Sequence, residues 1–483
     1  MDLSNYLLMK PELSLIVVFL ILIIYDLFAS DNAKKYYFPV ACLLFLVHTV
    51  YCFFVPATAE TSFVGMYVTG PAQHAIKCIL NVGVFLIFLQ ANSWLSKPET
   101  IYKRGEFFML TIMTLLGMYL MISAGHFLLF YIGLETASLP IAALVAFDKY
   151  TRHSAEGGAK YIFNAIFSSA IMVFGLSFLY GASGSLYYTE MAVDIISTPM
   201  IIMGAIFFMG GLFFKISLAP FHLWAPDVYQ SSPTNVTLYL STISKGASVF
   251  ALMAILYQVF PALSEMWQNV LWIIILLTIT VGNLFALRQT DMKRFLAFSS
   301  ISQAGYIMLS ILAGTKFGMS ASIYYIFVYI FSNLAAFGVI SAIEDKTGKV
   351  NMNDYNGLYK SNPKLALAMM IAMFSLGGIP FTAGFFSKMF VFMAAMEQGY
   401  VVLVILAFLN TIVSLYYYLL VVKAMFINKT DSPVETVKTD SYLKISLVVA
   451  MAGIFFVGIV SCIYEYIDTV GFGMNMLTNA IPF

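Results

Sequence analysis

The sequence predicts an all-α, polytopic membrane protein of 14 transmembrane helices, with spans 7 and 12 interrupted. Three observations predict it. The 483 residues are 61% hydrophobic and only 10% charged, where soluble domains carry roughly 25% charged residues. The apolar residues fall into runs long enough to cross a bilayer, which takes about 20 mainly apolar residues per helix. The Lys and Arg residues between those runs are strongly one-sided.

The spans read, in order, 13–29, 38–55, 72–95, 106–123, 126–147, 159–180, 199–229, 235–257, 267–287, 295–313, 320–343, 364–397, 401–427 and 443–466. Loops after odd-numbered spans hold 18 of the 25 Lys and Arg residues, and the opposite loops hold only Lys10 and Lys316. The cation-rich side is the inner one, so both termini face out. The longest loop, 344–363, is too short for a soluble domain. The formal net charge of +1 gives no argument for nucleic acid. Cys42, Cys52, Cys78 and Cys462 lie far apart in apolar runs, with no spacing for zinc or an iron–sulfur cluster. No nucleotide-binding glycine motif is present, so no cofactor is expected in this chain. Spans 1–3 (1–105), 4–8 (106–257), 9–13 (267–427) and 14 with its tail (443–483) divide one membrane domain.

Five cations remain inside spans: Lys77, Lys215, Lys245, Lys388 and Lys423. Lys77 and Lys423 lie near span ends and can snorkel to the interface. Lys215, Lys245 and Lys388 lie deep, and among the acids only Glu135 is comparably deep. A buried charge costs on the order of 2.5–3.5 kcal/mol on insertion scales. One static pair between Glu135 and Lys215 would still leave Lys245 and Lys388 without acids. A lysine desolvated without an acid exchanges its proton near neutral pH more readily than a surface lysine. The four residues therefore read as a proton path. His222, Ser302, Gln303 and Tyr306 are the polar candidates between them, with Ser299, Ser300 and the run Tyr416–Tyr418 nearby.

Span 7 reads GGLFFKISLAPFHLWAPDVYQ, with Pro220 and Pro226; span 12 reads FSLGGIPFTAGFFSKMF, with Pro380 between glycines. Proline removes a backbone donor, and the freed carbonyls must find protein or water. The two breaks are five spans apart, an odd offset that inverts the second. Spans 4–8 and 9–13 then form two inverted five-helix repeats.

The stretches GLETASLP, FKISLAPFHLWAPDVY, STISKGA, SSISQAGY and SLGGIPFTAGFFSKMF carry a resemblance. The chain resembles the antiporter-like subunits of bacterial respiratory complex I, the NADH–quinone oxidoreductase, and of multisubunit sodium/proton antiporters. Within that family it is most similar to the subunit N branch. The resemblance implies proton translocation through Glu135, Lys215, Lys245 and Lys388. It also implies a bacterial inner membrane with periplasmic termini, and a hetero-oligomer with subunits M and K as neighbours. NADH, FMN, iron–sulfur clusters and quinone would belong to partner subunits. This chain departs from the branch at Gln303, where a histidine is common, and at QSSPT before span 8. A cation/proton antiporter subunit is the alternative, distinguished by what copurifies. A purely structural scaffold is a third reading, favoured by a dry interior.

Overall fold

The computed structural model describes residues 3–148, 152–430 and 433–471. The membrane helices are α1 (Lys10–Phe28), α2 (Tyr37–Phe54), α3 (Pro71–Leu95), α4 (Arg104–Ile122), α5 (Phe127–Val145) and α6 (Arg152–Ser183). There follow α7a (Pro199–Ile216) and α7b (Trp224–Ser231), α8 (Thr234–Gln258), α9 (Ser264–Ala286), α10 (Met292–Leu312) and α11 (Lys316–Thr347). The chain continues through α12a (Pro363–Gly377), α12b (Ala383–Glu397), α13 (Val401–Phe426) and α14 (Ser441–Ile459).

Helix is the only spanning form open to these sequences, because it satisfies every backbone donor inside the segment. Several starts are capped by polar side chains. Thr198 accepts from Ile201 N, Asp291 from Arg294 N, Thr315 from Gly318 N and Asp440 from Leu443 N.

Among the described residues, 13 helices are long and apolar enough to cross a membrane. The count of 14 is reached only by taking α12a and α12b, of 15 residues each, as one path. Both expected interruptions are present and share one local form. Ser217 (φ 66°) ends α7a and Gly378 (φ 82°) ends α12a, each left-handed. Leu218 N then donates to Phe213 O, and Ile379 N to Phe374 O. This is the six-to-one bond that closes a helix C-terminus on a left-handed residue.

Two features depart from the sequence reading. The all-α expectation omits a hairpin, in which β1 (Glu60–Ser62) pairs antiparallel with β2 (Tyr67–Thr69). Strands of three residues carry no readable apolar alternation. The apolar run to 466 is divided at Val460, whose backbone is extended, before a second short helix, Ser461–Gly471. The tail at 472–483 lies outside the described residues.

The interior is formed by α8 and α10, buried along the whole of their most apolar stretch, and by α11, buried over 94% of it. Helices α1 and α6, at 28%, and α13 and α14, at 33%, form the rim. Helices apolar all round belong either in the core or against lipid. This layering places the span 8 lysine and the polar face of α10 at the centre of the protein.

Candidate functional site

Glu135 lies on α5 and is only partly buried. Its Oε1 accepts from Ser169 on α6. It opens into a groove of about 530 Å³ lined by Tyr131, Ile166, Ser169, Val173 and Phe174. Lys215 occupies the last turn of α7a and is 8% exposed. Its Nζ donates to Ser138 Oγ at 2.6 Å and to Tyr161 Oη at 2.9 Å. Ser138 follows Glu135 by three residues, one turn along the same face of α5. The Glu135 carboxylate and the Ser138 acceptor of Lys215 thus sit one turn apart on α5, and each charge rests on a neutral partner.

Lys245 follows a π-helical turn, Leu240–Ser244, within α8. Such turns interrupt the regular bonding ladder and often mark functional positions. The Lys245 Nζ donates to Ser300 Oγ at 2.5 Å and to Ser300 O at 2.9 Å. Lys388, on α12b, donates to Leu376 O at 2.9 Å and Gly377 O at 3.2 Å. These are the last carbonyls of α12a, where the helix dipole favours a cation. The Tyr306 ring lies beneath the same ammonium, 5.1 Å from centroid to Nζ.

Hydrogen bonds along α10 extend from Ser299, the neighbour of Ser300, to the carbonyl that holds Lys388. Ser299, next to Ser300, bonds Tyr418 Oη at 2.5 Å. Gln303 Nε2 donates to Tyr418 Oη and to Leu376 O, each at 3.0 Å. Leu376 O is also the acceptor of Lys388, so Gln303 and Lys388 share one carbonyl. Tyr325 donates to Gln303 Oε1. Ser302 Oγ bonds back to Ser299 O at 2.8 Å and faces Tyr417 Oη at 3.5 Å. Tyr417 and Tyr306 meet on Asn283 of α9.

Between Lys215 and Lys245 the direct bonds stop. His222 is 8% exposed in the α7 break, and its Nδ1 has no hydrogen-bond partner among the described residues. Tyr229 Oη on α7b and Asn235 Oδ1 on α8 are likewise buried without one. Buried polar atoms of this kind are where internal water bonds.

The three deep lysines and Gln303 lie in the buried interior, and Ser302 and Tyr306 lie there too. Tyr416 does not belong to it, being 59% exposed on the rim. Ser138, Tyr161 and Ser169, the partners of Lys215 and Glu135, were not singled out from the sequence. Only Ser138 carries a signal, its position one turn from Glu135. Lys77 does not snorkel: it is 2% exposed and bonded to Glu12 at 2.5 Å. Nor are all the loop cations solvated. Lys293 is 6% exposed and bonds Glu344 at 2.9 Å, beside the more exposed bridges of Asp227 to Lys160 and Arg294.

Residues 124–414 match the family described as NADH:quinone oxidoreductase/Mrp antiporter, transmembrane. The chain belongs to this family. Its relatives include the protein named NADH-quinone oxidoreductase subunit N from Azobacteroides pseudotrichonymphae, 53% identical over 98% of this chain and 99% of that one. The subunit N of Phocaeicola vulgatus is also 53% identical, over 97% and 99%. Among solved structures, a chain of respiratory complex I from Thermus thermophilus with bound aureothin is 28% identical. It covers 94% of this chain and 97% of its own, with a TM-score of 0.79. A chain of the Mrp complex from Dietzia sp. has the same fold, with a TM-score of 0.84 at 17% identity over 99% and 98%. The matched family region holds Glu135, Lys215, Lys245 and Lys388, together with both interruptions.

Proposed function

We propose that this chain is a proton-translocating membrane-arm subunit of an NADH–quinone oxidoreductase, and that Glu135, Lys215, Lys245 and Lys388 carry the proton. One observation carries the reading. Three lysines are buried in the interior of a membrane protein on neutral partners: hydroxyls at Ser138, Tyr161 and Ser300, and carbonyls of residues 300, 376 and 377. A static structural charge is stabilised by an opposite charge; a charge that comes and goes needs partners that tolerate both forms.

Glu135 is the gate. Movement of its carboxylate between Ser169 and the Ser138 turn changes how tightly Lys215 holds its proton. Water bonded at His222, Tyr229 and Asn235 carries the proton to Lys245. The hydroxyl and amide run on α10 continues to Lys388. Ser302 and Tyr306 support that run by holding Tyr417 and Asn283.

The energy comes from electron transfer in partner subunits, which hold NADH, FMN, the iron–sulfur clusters and quinone; this chain acts as part of a translocase. Helices α4–α8 and α9–α13 are two inverted copies, and the first three helices form an N-terminal unit. Subunits M and K are the neighbours, and the bacterial inner membrane is the location, with periplasmic termini.

Replacing Glu135 or Lys215 with alanine is expected to leave the complex assembled and to lower proton pumping per NADH oxidised. Wild-type pumping by either assembled variant would remove the role given to that residue. Copurification with small membrane subunits alone, and no NADH-oxidising partner, would assign the same path to a cation/proton antiporter.

A further inference from the structure

The Glu12–Lys77 pair takes no part in the route above, yet it is the most enclosed ion pair among those in the described residues. Glu12 is 0% and Lys77 2% exposed. The ammonium meets Glu12 Oε1 at 2.5 Å, Ser123 Oγ at 2.6 Å and Tyr67 Oη at 3.3 Å. Tyr67 in turn donates to Glu12 Oε2 at 3.0 Å. Four elements converge on two charges: the first turn of α1, the first turns of α3, strand β2 and the residue that ends α4.

The convergence grips one short turn. Ser123, Ala124 and Gly125 are all that separates α4 from the His126 cap of α5. Strand β2 holds that turn by its backbone, with Val68 N on Ser123 O and Gly125 N on Met66 O, both at 2.8 Å. Lys77 holds it by the Ser123 side chain. Beyond the turn, α4 and α5 touch backbone to backbone. A Cβ added at Gly117 would lie 2.6 Å from Gly133 O, and one at Gly133 would lie 2.7 Å from Met121 N. Helices this close move together. Glu135 stands eight residues into α5, about 12 Å along the axis, on the part of the hairpin held by the turn.

We propose that Glu12 and Lys77 are positioning residues for Glu135, a charged bolt that sets the height of the α4–α5 hairpin against Ser169 and Lys215. The proposal rests on the gating role given to Glu135. A bolt of charge-assisted bonds is stronger than one of neutral bonds and fixed in direction. It ties the N-terminal three-helix unit to the helix that bears the gate.

The test uses the whole complex in native membranes. Removing one partner alone would strand a buried charge and endanger folding, whereas removing both is tolerated far better. The double variant Glu12→Gln, Lys77→Met is therefore compared with wild type. The readout is the rate at which a hydrophobic carbodiimide modifies Glu135, followed by peptide mass spectrometry, because that rate follows placement and protonation. The expected result is a change of roughly threefold or more at Glu135, with modification of Glu397 unchanged and fewer protons pumped per NADH. An assembled double variant with wild-type labelling and wild-type pumping overturns the proposal and leaves the pair a stabilising contact only. If the double variant does not assemble, Ser123→Ala decides. It is combined with Tyr67→Phe, so that the ion pair is kept while its bonds to the turn and to strand β2 are both cut, and unchanged labelling at Glu135 overturns the proposal equally. Full pumping by Glu135→Ala would sink the gating role instead, while the labelling rate would still report whether the bolt sets the position of that residue.

Discussion

Replacement of Lys388 separates charge from proton exchange. Met at this position removes the ammonium. Leu376 O keeps a donor, Gln303 Nε2 at 3.0 Å, while Gly377 O loses its bond at 3.2 Å. A hydrogen bond to a charged group is worth about 1.5–3 kcal/mol. Against that loss stands the cost of holding an ammonium at membrane depth, on the order of 2.5–3.5 kcal/mol. The two nearly cancel, so Lys388→Met is expected to assemble with a stability within about 1–2 kcal/mol of wild type. Lys388→Arg keeps a permanent charge for both carbonyls, but a guanidinium does not give up its proton. Both variants are expected to assemble, and both are expected to pump fewer protons. The assay is NADH oxidation by purified complex in sealed vesicles, with internal acidification followed by a pH-sensitive dye, with and without an uncoupler. Wild-type proton yield from the assembled Arg variant would refute proton exchange at Lys388. Loss of assembly in the Met variant would refute the energy balance.

Gly378→Ala forces a side chain onto φ 82°, with its Cβ 3.0 Å from Lys388 Cδ. It is expected to cost roughly 1–2 kcal/mol and to lower both the thermal midpoint of the complex and its pumping. Gln303→Leu leaves the Tyr325 hydroxyl without its acceptor, while Tyr418 keeps Ser299; it is expected to cost about 1–3 kcal/mol and to slow pumping, whereas Gln303→His, which restores a bonding and titrating ring, retains pumping in the same vesicle assay. Tyr161→Phe removes the 2.9 Å acceptor of Lys215 but leaves Ser138; assembly is expected to be normal and proton uptake slower in stopped-flow measurements. Asp227→Asn weakens the bridges to Lys160 and Arg294, which are 43% and 32% exposed. Less than about 1 kcal/mol and no change in proton yield are expected, and a large loss of yield would place Asp227 on the path.

Some of the site is local and some is not. Lys215 and Lys388 are legible because each lies beside its own helix break, within one continuous stretch of chain. Lys245 is legible because a lysine with no acid in a 25-residue apolar helix has no local explanation. Lys77 looks equally local, close to the start of its helix, a position that predicts a side chain reaching the interface. Its acid, Glu12, lies 65 residues away on another helix and in a stretch that reads as merely polar. The hydroxyls that hold Lys215 lie 77 and 54 residues from it. Gln303 reaches the Leu376 carbonyl, which it shares with Lys388, across 73 residues, and nothing in SSISQAGY points to Leu376.

The sequence by itself determined which segments are apolar enough to enter a membrane, which loops carry the cations, where two helices must break and that Lys215, Lys245 and Lys388 lie deep in their spans. Each of these is set by neighbours in the chain, through solvent transfer and backbone bonding. Only the tertiary structure decided which face of α10 meets Lys245 and Lys388, that Lys215 reaches α5 one turn from Glu135, and that Lys77 closes on Glu12 under a hairpin. The reason is physical: hydrocarbon selects helices by composition, but it exerts no preference among the ways those helices can pack. That choice is left to the few polar side chains, which must find one another inside.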